Sequence, residues 1–381
     1  ILRCLVGSEM CIRDRKRIVA IYLLYVMSPV IVWILMNIIN TKSINYDDRK
    51  KKNYIIICGI IMALMIGLRY KGVGSGDTAF YYSNWKMMSR VSWSDLPGIL
   101  QRVDLEYGYQ IIVWFLSHLF SGGQWLLIFS GVFFSLSVCL FTYRNSKNPV
   151  ISLMVFNCLG LFNFMVQGLR QAIAMSICLF AYEQCKKKHF IKFILLVAIA
   201  CLFHASALVF ILVYFLSKFK LNTIQMGIFA VLTFVGMQLL PYAFNILNVA
   251  MNENYDLNSA SESGGIVAIL IYAVIILFGL LFKDMSDEHY ALFVYSAIVA
   301  AVAMLLRNSV NGIAERISHY FAFGQMIVLS NSIASVKEPK IKLLINTATV
   351  LLCFGIAFYK ASYSILIPYT FFGSGKFWRK L

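Results

Sequence analysis

The stretch GLRYKGVGSGDTAFYY, Gly67 to Tyr82, sets an arginine, a run of glycines and an Asp-Thr pair beside the end of an apolar run. Arg69 is a permanent cation whose forked guanidinium suits phosphate. Glycines at 72, 74 and 76 let the backbone turn tightly and approach a ligand. Asp77 is placed to take a proton from a hydroxyl group or to orient it. The same residues have a structural reading, as an arginine snorkelling at a membrane interface and an aspartate capping the next helix. LEYGYQ puts Glu106 at the start of an apolar run, as an acid or base, or as a carboxylate favoured by the helix dipole.

FNFMVQGLRQAIAMSI sets Arg170 between Gln167 and Gln171 where two apolar runs meet. A charge at membrane depth is costly and marks function. ACLFHASALVF leaves His204 among apolar neighbours, either as a general base or phosphate partner or as a packing residue. LLRNSVNGIAERISHYF holds Arg307, Glu315, Arg316 and His319, and Arg316 shares a helix face with Tyr320 four residues on. SILIPYTFFGSG ends the chain's apolar part with a Pro368-Tyr369 turn. Arg69, Arg170 and Arg316 have no matching set of anionic side chains in the sequence. A bound pyrophosphate would satisfy two or three of them.

These residues must be carried by membrane helices. The chain is 60% hydrophobic and only 13% charged, against about 25% charged in soluble domains. That excludes a water-soluble globule. Lys and Arg outnumber Asp and Glu by 34 to 17, which basic cytoplasmic loops explain without any nucleic-acid partner. Seven of the nine cysteines (Cys58, Cys139, Cys158, Cys178, Cys185, Cys201 and Cys353) lie in or beside apolar runs with no C-x-x-C pair. Neither a zinc site nor a disulfide framework is indicated.

Apolar runs fall at roughly 18–40, 54–68, 108–120, 124–141, 149–165, 168–182, 190–217, 222–243, 265–282, 289–306, 317–334 and 342–359. At about 20 residues per span they predict an all-α, polytopic protein of about 11–13 membrane segments. The 190–217 run is long for one span and His204-Ala205-Ser206 interrupts it, so two short helices or a broken helix are expected. Basic clusters at Lys42 to Lys52, Arg144 to Lys147, Lys186 to Lys188, Lys218 with Lys220 and Lys337 to Lys342 are assigned to the cytoplasm. The loop 69–107 and the acidic stretch 251–265 then lie outside. Three runs separate the Lys52 and Arg144 clusters, and an odd number cannot return to the same side. Either 108–120 is re-entrant or one loop breaks the rule.

Residues 1–15 back-translate to a string similar to a transposase adapter used in sequencing libraries. This stretch is expected to be an in-frame read-through, with a single polytopic membrane domain over 16–381.

Taken together, GLRYKGVGSGDTAFYY, LEYGY, GLRQAIA, LFHASAL, AERISHYF and IPYTFF resemble the EpsG family of bacterial membrane proteins, itself similar to Wzy-type exopolysaccharide and O-antigen polymerases. The motifs fall in the family's order over most of the chain. The resemblance implies a GT-C-like membrane glycosyltransferase of the bacterial plasma (inner) membrane that needs no metal or cofactor. Its donor would be a growing glycan on undecaprenyl or another polyprenyl diphosphate. Its acceptor would be a lipid-linked repeat unit on the outer face, and its product exopolysaccharide, capsule or O-antigen. Arg69, Arg170 and Arg316, with Gln171 and Tyr320, would hold the diphosphate. Asp77, His204 and Glu106 would supply the catalytic acid–base groups, with Asp77 or His204 as the base. The implied partners are the polyprenyl-diphosphate-linked oligosaccharide, the bilayer, a flippase and a chain-length regulator. The rival reading is a flippase moving the same lipid-linked oligosaccharide. An acyltransferase built on His204 would need a second polar group, for which HASA offers only Ser206. A structural scaffold is disfavoured by the buried arginines.

Overall fold

The computed structural model describes the backbone of residues 2–39, 48–73, 76–251, 265–307, 313–361 and 371, and among these it is helical apart from turns and one isolated bridge. In hydrocarbon every backbone N–H and C=O needs a partner within its own segment, so apolar runs of Leu, Ile, Ala and Phe resolve into helices. Among the described residues three helices are long and apolar enough to cross a membrane, with apolar spans Ala20–Ile38, Gln124–Asn145 and Pro339–Lys360. Among the same residues a further candidate is a pair of helices bent by 57°, a broken span or a re-entrant loop.

The chain runs through α1 (Leu2–Ile39) and α2 (Asp48–Gly67), then through a short-helix unit of α3 (Gly76–Met88), α4 (Leu96–Arg102) and α5 (Tyr107–Leu119). It continues into α6 (Gln124–Asn145), the bent pair α7 (Pro149–Cys158) and α8 (Leu161–Gln167), and α9 (Leu169–Lys186). Helix α2 packs most extensively along α6. A Cβ at Gly131 would lie 3.0 Å from the Ala63 carbonyl oxygen and from the Gly67 nitrogen, so this glycine permits the close approach. Asn148 caps α7 by accepting from the Ile151 amide, with Pro149 at the first helical position.

The Gln124 side-chain amide donates to the carbonyls of Gly67 (2.6 Å) and Arg69 (3.1 Å). The end of α2 and the start of α6 therefore stand at one level, opposite the basic clusters. The chain between them leaves and returns at the same end. Helix α5, 13 residues long, rises about 20 Å, short of a hydrocarbon core of about 30 Å. Helix α5 alone is therefore too short to cross, and the α3–α5 unit begins and ends at the level where α2 ends and α6 begins.

The run 190–217 folds as a hairpin. Helix α10 (Phe190–Cys201) ends in a three-residue tip, and a 3₁₀ turn (Ala205–Ile211) with α11 (Leu212–Leu216) leads back. Phe190, at the start of α10, lies with its ring 4.7 Å from that of Tyr214, near the end of α11. The two arms therefore fold back on each other, both rooted at the basic end beside Lys186–Lys188 and Lys218. The tip, with His204, stands about 18 Å along α10 from that end.

The remaining helices are α12 (Thr223–Met251), α13 (Gly265–Leu281), α14 (Tyr290–Leu305), α15 (Ile313–Phe321), α16 (Phe323–Ser335) and α17 (Pro339–Ala361). Most of the acidic stretch 251–265 and of IPYTFF lies outside the described residues. At the basic end the α6–α7 connection is tied down by buried polar groups. The Asn331 amide donates to the Asn145 carbonyl (2.9 Å), Ser146 and Ser330 hydroxyls meet at 2.7 Å, and Ser152 donates to Ser146 at 2.8 Å. Lys147 there holds Asp284, at 2.7 Å from Oδ1 and 2.5 Å from Oδ2.

Candidate functional site

Glu106 stands at the N-cap position of α5, yet its side chain makes no capping hydrogen bond. One carboxylate oxygen, Oε1, lies 2.7 Å from His204 Nδ1 at the hairpin tip. The other, Oε2, receives a hydrogen bond from the Arg170 guanidinium in the first turn of α9. Two residues from separate elements, His204 and Arg170, thus meet on the Glu106 carboxylate. The link into α5 is fixed by Gln110, fully buried, whose amide donates to the carbonyls of Val103 (3.2 Å) and Leu105 (2.6 Å).

The meeting of α5 with the hairpin depends on Gly108. Its amide donates to the Leu202 carbonyl at 2.8 Å. A Cβ at this position would fall 2.7 Å from that oxygen, closer than any side chain tolerates. Only glycine lets the start of α5 rest on the tip.

Burial pushes the Glu106 carboxyl up, but the hydrogen bond from His204 and the charge of Arg170 outweigh it and hold it below its ordinary value. An ionised carboxylate only accepts, so His204 Nδ1 carries the proton toward it, and in the neutral ring Nε2 keeps its lone pair. Tyr81 of α3 sits against the Arg170 guanidinium, and its ring lies 5.8 Å from that of the fully buried Tyr109. Below the tip, Ser206 Oγ and Tyr320 Oη of α15 are 3.2 Å apart. The Gln171 amide donates to the Arg316 carbonyl at 2.8 Å, joining α9 to α15.

The chain matches the EpsG family model over residues 52–371. It belongs to the EpsG family. No curated protein and no solved structure matches it. Membership makes this EpsG-family chain an exopolysaccharide-related membrane protein.

The sequence candidates divide between this cluster and its surroundings. Glu106, Arg170 and His204 are in direct contact, and Gln171, Arg316 and Tyr320 tie the adjoining helices together. The expectation that the arginines lack anionic partners is corrected at Arg170, because Glu106 reaches it across 64 positions of sequence. The expectation that only Ser206 stands beside His204 is corrected by the same carboxylate, which comes from 98 positions away. Asp77 is exposed in the first turn of α3, one turn before Tyr81, and does not join the carboxylate. Arg69 is fully buried, and its backbone forms an antiparallel bridge with Phe371 of the IPYTFF motif. Its charge reaches Tyr82, the residue after Tyr81. Among the described residues no three His, Cys, Asp or Glu side chains gather as metal ligands would.

Tyr81 and Tyr109 were not singled out from the sequence. Their signal is the pairing of tyrosines with the candidate motifs, AFYY after Asp77 and EYGY after Glu106. A polar-tipped ring beside a charged residue at membrane depth is a hydrogen-bonding neighbour before it is core.

Proposed function

We propose that this EpsG-family protein polymerises lipid-diphosphate-linked oligosaccharide repeat units into a surface polysaccharide on the outer face of the bacterial plasma membrane. The observation that carries the reading is the contact of Glu106 with His204 and Arg170 where two short elements meet. It supplies a histidine with its second nitrogen available as base and a carboxylate to orient it, the arrangement that general-base catalysis requires. The acceptor hydroxyl gives its proton to His204 Nε2 as its oxygen attacks the anomeric carbon of the donor. The bond from that carbon to the lipid diphosphate breaks, and the diphosphate leaves as an anion. Arg69 and Arg316, with the guanidinium donors that Arg170 does not spend on Glu106, neutralise the leaving group. His204 is preferred to Asp77 as the base because its ring is held by the partly buried Glu106 carboxylate, whereas Asp77 stands in the open.

In a strain whose polysaccharide locus contains the gene, deletion is expected to leave single repeat units at the cell surface and no long polymer. Complementation with His204→Ala is expected to restore the protein in the membrane without restoring the ladder of chain lengths on a gel. Repeat units trapped on the cytoplasmic leaflet would make the protein a transporter.

A further inference from the structure

The connection between α3 and α4 carries an aromatic ledge that the site does not use. Trp93 is 75% exposed. Its ring packs on Trp114 of α5 at 5.4 Å between centroids, and Trp114 packs in turn on His118 at 4.6 Å. Trp114 is locked from below, because its indole N–H donates to the Val91 carbonyl at 2.9 Å. Beside the exposed indole, the Ser92 hydroxyl donates to the Asp95 carboxylate at 2.6 Å and lies 2.8 Å from the Ser94 hydroxyl. All three of these side chains are exposed.

A tryptophan anchoring a protein in the interface sinks its ring among apolar neighbours. On α5 the exposed apolar row is Ile111, Phe115 and Leu119, spaced by four. Trp114 and His118 form the adjacent row, and Trp93 packs on it through Trp114. The packing of the indole is therefore on Trp114, with the polar residues Ser92, Ser94 and Asp95 on either side of it in sequence. A flat, rigid ring with hydroxyls and a carboxylate at its edge suits one kind of ligand well, a sugar ring that is apolar on its C–H face and ringed by hydroxyls. Eight residues of α5 separate Glu106 from Trp114, a rise of about 12 Å, so the ledge lies within an oligosaccharide's length of the Glu106 carboxylate.

We propose that Trp93, backed by Trp114 and flanked by Ser92, Ser94 and Asp95, is a glycan-binding ledge that holds a pyranose of the growing chain beyond the reacting repeat. The assignment of the growing chain as occupant rests on the polymerase reading. Binding itself does not require turnover. The test uses the full chain in lipid nanodiscs, titrated with oligosaccharides released from the strain's own polymer by partial acid hydrolysis, with tryptophan emission as the readout. The wild type is expected to show a saturable change that Trp93→Ala removes or shifts roughly tenfold to weaker affinity, the loss of one aromatic stacking contact. Trp93→Tyr is expected to retain part of it. Because Trp93 is exposed, the alanine variant should unfold at the wild-type temperature. In cells it should shift the polymer ladder to shorter chains while leaving the first linkages intact.

Equal oligosaccharide affinity in wild type and Trp93→Ala overturns the ledge. So does quenching of the Trp93 contribution by brominated phospholipid with no response to oligosaccharide, which would make it a membrane anchor. Binding through Trp93 together with unchanged polymer in the gene deletion keeps the ledge and removes the polymerase reading.

Discussion

A carboxylate that precedes a helix ordinarily accepts from the first-turn amides. Glu106 spends both oxygens elsewhere, on His204 and Arg170, so its replacement separates capping from catalysis. Glu106→Gln keeps the shape but not the charge. It should lower polymer formation by about 100-fold or more, since a general base works only when correctly held. It should also destabilise the detergent-purified protein by on the order of 2–3 kcal/mol, because Arg170 is then left without its counter-charge. A thermal melt and a polymer gel on the same preparations check both effects. A variant that melts early but polymerises normally would reduce Glu106 to a structural ion pair. The titration has a definite sign. Glu106 is held below its ordinary value, so its ionised form stabilises the fold above about pH 4.3, and that contribution is lost as pH falls through the lower folded value. The pair was not legible in the sequence. LEYGYQ and ACLFHASALVF each raised a candidate, but contact between residues 98 apart leaves no period or spacing to read.

Two short elements make the site, and each left a different trace in the sequence. The hairpin was announced by His204-Ala205-Ser206 inside an overlong apolar run, with basic residues at both ends. Helix α5 was announced only by bookkeeping of sides, as the run that made the count between Lys52 and Arg144 odd. That their tips touch was hidden, because the contact is made by a backbone amide of Gly108 on a backbone carbonyl of Leu202, and backbone contacts carry no side-chain signature. Gly108→Ala tests the junction. Its methyl group would meet the Leu202 oxygen, so α5 must lift from the tip. Since a 1 Å misplacement of a catalytic group costs about 100-fold in rate, polymer should be nearly abolished while the helical content by circular dichroism stays unchanged. Normal polymer from this variant would show that α5 need not rest on the hairpin. At the other end of the bundle, burial raises the Asp284 carboxyl, but Lys147 and Ser286 overcome this and hold it below its ordinary value. The ionised form therefore stabilises the fold above about pH 3.9 and ceases to do so as pH falls through the depressed value. Asp284→Asn should lower stability at pH 7 by about 1 kcal/mol at most, given the half-exposed Lys147. The gap to wild type should close in melts below about pH 4.

At the scale of the whole molecule, the basic clusters gather at one end and the α3–α5 unit stands at the other. Positive residues favour the cytoplasm, so the Glu106 carboxylate and the Trp93 ledge should both open toward the outer side. Cysteine labelling decides this, because six of the seven described cysteines are buried and the seventh, Cys201, is partly so. With Cys4 and Cys11 replaced by serine, Ser94→Cys should react with a membrane-impermeant maleimide on intact cells or spheroplasts, and Lys187→Cys only after the membrane is opened. The reverse pattern would turn the site to the cytoplasm. Repeat units would then be joined before translocation, and any flippase would have to carry polymer in place of single repeats. Orientation and chemistry are therefore linked, since the face on which Ser94→Cys reacts fixes which lipid-linked pool His204 can reach.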